Sequence, residues 1–166
     1  MIEIISKLSN KLTDFGFAVG YFSEIILLIL VSYLLYYQSI ADMGIFIAGF
    51  FASGIANGFL KNMIKDRRPK DPERYLAAEH FSKKPVVYGL PSGHSQNVFY
   101  CIIYLYLVST NFVAWEALLL VIATLMFYER WVYHNHTIIQ LITGAVVGVA
   151  FGYGVFSIRN YVMKNI

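Results

Sequence analysis

The stretch Ile138–Ile158, IIQLITGAVVGVAFGYGVFSI, decides the fold class of this chain, because it is strongly apolar and contains no charged residue. As a helix it is long enough to cross a hydrocarbon core about 30 Å thick. Four earlier stretches are apolar over comparable lengths: Phe17–Tyr37, Gly44–Leu60, Val98–Val113 and Ala114–Tyr128. We therefore predict an all-α fold, a polytopic transmembrane helical bundle of about five spans.

The composition favours a membrane protein and excludes other classes. Hydrophobic residues make up 58% of the 166 residues and charged residues only 14%, too few to cover the surface of a soluble domain. The length fits one domain, residues 1–166. The net charge of +3 comes without a basic tract interleaved with aromatic residues, so we expect no nucleic-acid partner. Cys101 is the single cysteine and can form no intramolecular disulfide.

Two segments are predicted to lie outside the hydrocarbon core. Met1–Asp14 mixes charged residues with isoleucine and leucine, which is typical of an amphipathic helix at the membrane interface. Residues 61–91 hold eight of the thirteen Lys and Arg residues and show no convincing apolar period. We expect this second segment to be the large extramembrane loop.

Polar residues mark the ends of the predicted spans on one side of the membrane. If five helices cross in sequence, the end of the second, the start of the third, the end of the fourth and the start of the fifth share one face. These places carry, in that order, Lys61 and Arg68, then Ser92, Gly93 and His94, then Arg130, then His136. Three cations beside two histidines predict a site for a phosphate group at the membrane surface.

The motif Tyr88–Gln96, YGLPSGHSQ, stands where the polar loop enters the third apolar stretch. Ser92 is a good N-cap, and the free N–H groups of a first helical turn favour an anion. Gly93 lets a phosphate oxygen approach the backbone, and His94 is placed to act as a general acid. The alternative interpretation is a capping serine beside an incidental interfacial histidine.

Lys61 and Arg68 are seven residues apart, hence two turns apart on one helical face if the second span continues that far. Pro69 favours a helix end at Arg68. Both side chains can then reach one anion, Lys61 as a point charge and Arg68 as a bidentate fork. Alternatively, they are interfacial cations whose charges lie among the lipid headgroups.

Two histidines after Arg130, His134 and His136, are candidate nucleophiles. We favour His136, because Gln140 lies one helical turn further on and can accept a hydrogen bond from its Nδ1–H. Gln140 also fits a capping box with Thr137 for the last span, and both uses stay open. Metal binding is disfavoured, because no carboxylate lies between or beside these histidines. We expect neither a metal nor another cofactor.

Small residues recur four apart on two of the predicted spans. Gly144, Gly148 and Gly152 form one stripe, and Gly54 and Gly58 form another. Such stripes allow helix backbones to approach closely in lipid. We therefore expect the second and fifth spans to pack against each other through these glycines.

Taken together, the patterns Lys61-x6-Arg68-Pro69, Pro91-Ser92-Gly93-His94 and Arg130-x5-His136 resemble the three-part signature of the type 2 phosphatidic acid phosphatase superfamily. That superfamily also contains the vanadium haloperoxidases. The resemblance covers roughly residues 60 to 140 and implies that His136 forms a phosphohistidine, with His94 first the acid for the leaving group and then the base for water. The residues implied to bind the phosphoryl oxygens are Lys61, Arg68, Ser92, Gly93 and Arg130. The implied scheme uses no metal.

Two positions depart from the usual third motif of that family: Glu129 stands in place of Ser, and Gln140 in place of Asp. An amide can orient a histidine but, unlike a carboxylate, cannot stabilise its positive charge. One alternative is therefore a catalytically weak relative that binds lipid phosphates. The dolichyl diphosphatase branch fits better. Tyr88–Gln96 resembles the second motif of that branch, and its third motif, Tyr-His-Thr-x-x-Gln, matches this chain apart from Asn135.

That branch implies an integral-membrane hydrolase acting on a polyprenyl (dolichyl-type) diphosphate, a lipid carrier of glycosylation, to give the monophosphate and inorganic phosphate. The alternative is a phosphatase for phosphatidate or another lipid monophosphate. A channel or transporter is disfavoured, since Glu24 is an isolated charge within the predicted spans. The positive-inside rule places the site in the cytoplasm, whereas the resemblance places it in the lumen of the endoplasmic reticulum.

Overall fold

The computed structural model describes residues 13–70, 87–109 and 112–165. These ranges contain six α-helices: α1 (Thr13–Tyr21), α2 (Ser23–Tyr36), α3 (Ile40–Ile64), α4 (Gly93–Val108), α5 (Val113–Val132) and α6 (Ile138–Lys164). Within the same ranges, extended backbone pairs in one isolated antiparallel bridge, between Arg67 and Tyr88. The predicted all-α fold is confirmed. The interfacial helix predicted near the N-terminus falls mostly on residues outside the described ranges, as does the middle of the predicted loop.

Two of the helices, α3 and α6, are long and apolar enough to cross a membrane. Helices α1 and α2 make a third candidate if they form one span, which would be bent by 68° where they meet. Helices α4 and α5 occupy the two remaining predicted stretches. The chain is therefore a membrane protein.

Capping residues in the sequence fix where the two long helices begin. Ser39 accepts a hydrogen bond from the N–H of Asp42 at the start of α3, at 3.3 Å. Thr137 and Gln140 form a reciprocal capping box at the start of α6. Both caps satisfy N–H groups that a first helical turn would otherwise leave without a partner.

Helix α3 ends at Ile64, because Lys65 takes a left-handed conformation with φ of 56°. The prediction that Lys61 and Arg68 lie on one helical face is therefore wrong. Lys61 lies in the last turn of α3, whereas Arg68 lies in an extended segment beyond the helix end. The helix stops before Pro69 is reached.

The hydrophobic core lies where α4 passes between α2, α3, α5 and α6. Tyr100 and Tyr104 of α4 are fully buried, and the Tyr100 ring stacks on Phe46 of α3 with the ring centroids 5.5 Å apart. The Tyr100 hydroxyl donates a hydrogen bond of 2.8 Å to the Phe46 carbonyl. This bond satisfies a buried polar group, so the aromatic layer carries no unpaired hydroxyl at Tyr100.

The backbones of α4 and α6 approach each other closely along the glycine stripe of α6. A Cβ added to Gly144 would overlap the backbone at Ser92, and one added to Gly148 would overlap the backbone at Gln96. At Gly152 the obstacle would be the side chain of Ile103. Gly144 and Gly148 therefore allow the backbone of α4 to lie directly against that of α6, and Gly152 makes room for the Ile103 side chain.

The prediction that small residues pack the second span, α3, against the fifth, α6, is wrong, because the glycines of α6 contact α4 instead. The stripe on α6 packs on α4, while Gly54 and Gly58 of α3 have nothing within 4 Å of an added Cβ and face open space. The inward face of α3 carries Ser53 and Asn57 instead, both buried and hydrogen-bonded to α4. Polar contacts, rather than small residues, hold α3 to the bundle there.

An ion pair joins α3 and α6 at the end of the bundle remote from the predicted phosphate site. Arg159 donates two hydrogen bonds to the buried Asp42 carboxylate, at 2.6 Å and 2.9 Å. Charge-assisted bidentate contacts of this kind fix geometry as well as adding attraction. The start of α3 and the end of α6 are therefore held together.

We expect Gly148→Ala to destabilise the protein, because the new methyl group must push α4 away from α6. Overpacking of this kind costs about 1–3 kcal/mol, and the apparent melting temperature in detergent should fall accordingly. Gly154→Ala is the matched control on the same helix, since its Cβ meets nothing within 4 Å. Equal melting temperatures for the two variants would contradict the close α4–α6 contact.

Candidate active site

Backbone hydrogen bonds join the segment after α3 to the segment before α4. Arg68 N–H donates to the carbonyl of Val87 at 3.2 Å, and Gly89 N–H donates to the carbonyl of Asp66 at 2.8 Å. Both bonds flank the bridge between Arg67 and Tyr88. Arg68 is therefore held beside the YGLPSGHSQ motif, although α3 has already ended.

A second set of bonds joins that motif to the start of α6. Ser92 N–H donates to the carbonyl of Gln140 at 3.0 Å, and Ser95 Oγ donates to the carbonyl of Leu141 at 2.6 Å. Ser92 also caps α4, as predicted, by accepting from the N–H of Ser95. The first turn of α4 and the first turn of α6 therefore lie side by side.

The turn between α5 and α6 selects one of the two candidate histidines. The N–H groups of Asn135 and His136 both donate to the carbonyl of Arg130, at 3.1 Å and 3.2 Å. His134 takes a left-handed conformation with φ of 51° and is exposed. His136 is buried, with 2% of its surface accessible. The turn places His136 inside the bundle and His134 outside it.

The predicted cations and histidines meet at this place. Lys61, Arg68 and His94 are all close enough to His136 to interact with it electrostatically. The Lys61 Nζ lies 3.8 Å from the position that a Cβ of Gly93 would take. Arg130 interacts with His94 in the same way. The structure thus brings together all the predicted site residues: Lys61, Arg68, Ser92, Gly93, His94, Arg130, His136 and Gln140.

Gln140 performs both of the functions that its position allowed. Its Oε1 accepts hydrogen bonds from the Thr137 N–H and from His136 Nδ1, each at 3.2 Å. Its Nε2 donates to Asp66 Oδ2 at 2.6 Å and to the Arg67 carbonyl at 2.9 Å. Because both groups facing Nε2 are acceptors, the amide orientation is fixed, and Nδ1 of His136 carries the proton. The unprotonated Nε2 then keeps a free lone pair.

The surroundings of His136 favour its neutral form. Burial lowers the pKa of His136 well below its ordinary value, and the positive charges of Arg68 and Lys61 lower it further. Both effects penalise an additional proton on the ring. A neutral imidazole retains the lone pair that a nucleophile needs.

Arg130 is buried in the same region, with 3% of its surface accessible. Its Nε lies 2.8 Å from Glu129 Oε2, although the angle is not that of a hydrogen bond. The Arg130 Nη2 is buried and has no hydrogen-bond partner in the described part of the chain. The guanidinium carbon lies 5.0 Å from the centroid of the Tyr21 ring, a cation–π contact. A buried donor held in this way suits an oxygen of a bound anion.

The family model described as the PAP2 superfamily matches residues 42–164, about three quarters of the chain. The chain belongs to the PAP2 superfamily. The expected family is thereby confirmed, and this PAP2 protein is a membrane-embedded member of a superfamily of phosphatases. All the predicted site residues lie within the matched range.

A crystal structure of a transmembrane PAP2 type phosphatidylglycerolphosphate phosphatase from Bacillus subtilis has the same fold. It superposes with a TM-score of 0.65 and 17% sequence identity, over 93% of this chain and 78% of that chain. No curated protein matches this PAP2 protein in sequence.

Glu24, on α2, is a candidate site residue that the sequence analysis did not identify. Its Oε1 lies 2.9 Å from His94 Nδ1, and its Oε2 accepts a hydrogen bond of 3.0 Å from Asn97. The prediction that Glu24 is an isolated charge is therefore wrong. Its partners lie about seventy residues away in the sequence, but an acidic residue inside an apolar stretch was itself a signal of function.

A buried polar network continues from Asn97 beneath the site. Ser53 donates to Asn97 Oδ1 at 3.0 Å, and Gln96 Nε2 donates to Ser53 Oγ at 2.9 Å. Asn57 donates to Gln96 Oε1 at 2.8 Å and to the carbonyl of Pro91 at 3.2 Å. The network fixes the floor beneath the first turn of α4, because each member is hydrogen-bonded to its neighbours.

We expect His136 to stay neutral as the pH falls through about 6.5, the ordinary value for histidine. The unfolded chain takes up a proton there while the folded site does not, so this group destabilises the fold as the pH falls. Nitrogen-15 NMR of protein labelled at histidine should show the signal of a neutral imidazole protonated at Nδ1. The signal belongs to His136 if it disappears in the His136→Asn variant. Titration of that signal near pH 6.5 would contradict the assignment.

Proposed function

We propose that this PAP2 protein hydrolyses a polyprenyl (dolichyl-type) diphosphate to the monophosphate and inorganic phosphate, through a phosphohistidine on His136. One observation carries the proposal: a buried imidazole is held by Gln140 as the Nδ1–H tautomer, among the cations Lys61 and Arg68. This arrangement presents a nucleophile and a binding site for the charge of a phosphoryl group at the same point.

In the first step, the lone pair of His136 Nε2 attacks the terminal phosphorus, and the bond from phosphorus to the bridging oxygen breaks. Negative charge on the transferring group is stabilised by fixed positive charges and hydrogen-bond donors. We assign this function to Lys61, Arg68, Arg130, the Ser92 hydroxyl and the Gly93 N–H. The buried Nη2 of Arg130 supplies one such donor.

His94 completes the proton balance of both steps. Its Nδ1 faces Glu24, which leaves Nε2 to give a proton to the bridging oxygen as the lipid monophosphate departs. The neutral ring then takes a proton from the water that attacks the phosphohistidine. Inorganic phosphate leaves, and both histidines return to their starting states.

Two features support a diphosphate on a polyprenyl tail. The Tyr88–Gln96 motif and Gln140 both resemble the dolichyl diphosphatase branch. The Gln140 amide is built into the structure by four hydrogen bonds, so it is an integral part of the site. The alternative, a lipid monophosphate such as phosphatidate, is favoured by the fold shared with a phosphatidylglycerolphosphate phosphatase.

We also propose that residues 1–166 form a single membrane-embedded lipid phosphatase domain with five spans, one of them made by α1 and α2. The resemblance to dolichyl diphosphatases supports a site facing the lumen of the endoplasmic reticulum. A glycosylation acceptor inserted between Lys70 and Lys84 should be modified if this orientation is correct, and should remain unmodified if the loop is cytoplasmic.

The test of the proposed function is release of inorganic phosphate from a polyprenyl diphosphate by the full chain in detergent. We expect release by the wild type and none above background by His136→Ala, since the nucleophile is missing. Faster release from phosphatidate or phosphatidylglycerophosphate would favour the alternative substrate. If the wild type and His136→Ala release equal residual amounts of phosphate from every lipid, the protein is not a hydrolase of these lipids. The interpretation as a lipid-phosphate-binding protein would then be favoured.

We expect Glu24→Gln to lower kcat about tenfold to a hundredfold, because the amide no longer stabilises the protonated form of His94. The loss should be smaller on a substrate whose leaving group needs no proton, such as a nitrophenyl phosphate. Glu116→Gln is the matched control, since Glu116 is exposed near the start of α5. An unchanged kcat in Glu24→Gln would remove Glu24 from the mechanism.

A further inference from the structure

We infer that Asp66 acts through the Gln140 amide to stabilise the positive charge that His136 acquires when it is phosphorylated. Asp66 is thus a positioning residue. It supplies, through Gln140, the negative charge that an aspartate beside the nucleophile supplies in the usual third motif. The inference rests on the proposed function, because it concerns the same nucleophile.

The contacts of Gln140 form a continuous path between the two groups. Asp66 Oδ2 accepts a hydrogen bond of 2.6 Å from Gln140 Nε2, and Gln140 Oε1 accepts from His136 Nδ1 at 3.2 Å. The Arg67 carbonyl accepts the second proton of Nε2, at 2.9 Å. The amide therefore donates toward a negative charge on one side and accepts from the imidazole on the other.

A carboxylate bound to an amide N–H increases the negative partial charge on the amide oxygen. Hydrogen bonds in a chain strengthen one another in this way, and the effect is larger where the dielectric constant is low. The contact to Asp66 is charge-assisted and short, and the amide itself is buried, with 1% of its residue accessible. Gln140 Oε1 is therefore a better acceptor for a positively charged His136 than an amide that faces solvent.

The surroundings are shaped for a glutamine at this place. A Cβ added to Gly89 would overlap the Gln140 amide, so the glycine provides the space that the amide occupies. The Gly89 N–H in turn donates to the Asp66 carbonyl at 2.8 Å, which holds the residue carrying the carboxylate. Asp66 is also two residues before Arg68, so one short segment supplies both the carboxylate and a cation of the site.

The geometry predicts the effect of replacing Gln140 by glutamate, which has the same length and shape. In the wild-type background, one oxygen of the new carboxylate would take the place of Nε2 and face Asp66 and the Arg67 carbonyl, and the repulsion between like charges would displace it. With Asp66 also replaced by asparagine, that repulsion is gone and the new carboxylate can accept directly from His136. The two substitutions should therefore be harmful singly and compensating together.

The experiment is a double-mutant cycle on the full chain with a polyprenyl diphosphate, or with the lipid that the wild type hydrolyses fastest. We expect Asp66→Asn and Gln140→Glu each to lower kcat and the single-turnover rate of phosphohistidine formation about tenfold to a hundredfold, with KM within about threefold. The double variant should recover most of the loss. Asp14→Asn, an exposed substitution on α1, is the control for loss of a surface charge.

Recovery of kcat separates a relay from a merely structural contact when the melting temperatures of both single variants equal that of the wild type, because loss of a structural contact would lower them. Additive losses in the double variant, or wild-type kcat in Asp66→Asn, would overturn the inference while leaving the proposed function intact, provided that His136→Ala is inactive. If the wild type itself releases no phosphate from any lipid, the proposed function fails, and the relay fails with it.

Discussion

The close contact between the backbones of α4 and α6 is the constraint on which the site depends. Within a membrane, lipid chains compete for apolar surfaces as well as side chains do, so association depends on intimate packing and hydrogen bonds. Gly144 and Gly148 provide the packing, and the bond from Ser92 N–H to the Gln140 carbonyl is made at the end of the same contact. This contact sets the first turn of α4 beside the turn that carries His136.

Negative charges behind the positive groups explain how so many cations and histidines share one buried place. Glu24 lies behind His94, Glu129 lies beside Arg130, and Asp66 binds the amide that holds His136. Each carboxylate stabilises or orients a group that would face the phosphate, while the side toward the phosphate stays positive. Because the partners are fixed in advance, the proposed reaction would require little reorganisation as charge moves.

The sequence was sufficient for those features that depend on one segment at a time. Apolar length located α3 and α6, and Ser92 and Thr137 were recognisable as helix caps from their neighbours. Motif spacing and alternate crossing indicated which helix ends would meet. The sequence was insufficient where two distant segments decide the outcome: Glu24 bonds to Asn97, 73 residues away, and Asp66 to Gln140, 74 residues away. No local pattern reports such pairs.

The end of α3 shows the same limit in the backbone. Proline at position 69 suggested a helix reaching Arg68, but a left-handed Lys65 ends the helix earlier, and the following residues pair with the segment near Tyr88. That pairing depends on a partner some twenty residues further on. The prediction that Gly54 and Gly58 pack against α6 failed for a similar reason. Small residues indicate where a helix can approach closely, but not which helix does so.

The pair formed by α3 and α6 is fastened at both ends, by Asp42 with Arg159 at one end and by the contacts of Gln140 with Asp66 and Arg67 at the other. Two helices held together at both ends cannot slide along each other without breaking one set of contacts. A piston-like stroke across the membrane is therefore opposed by the frame itself.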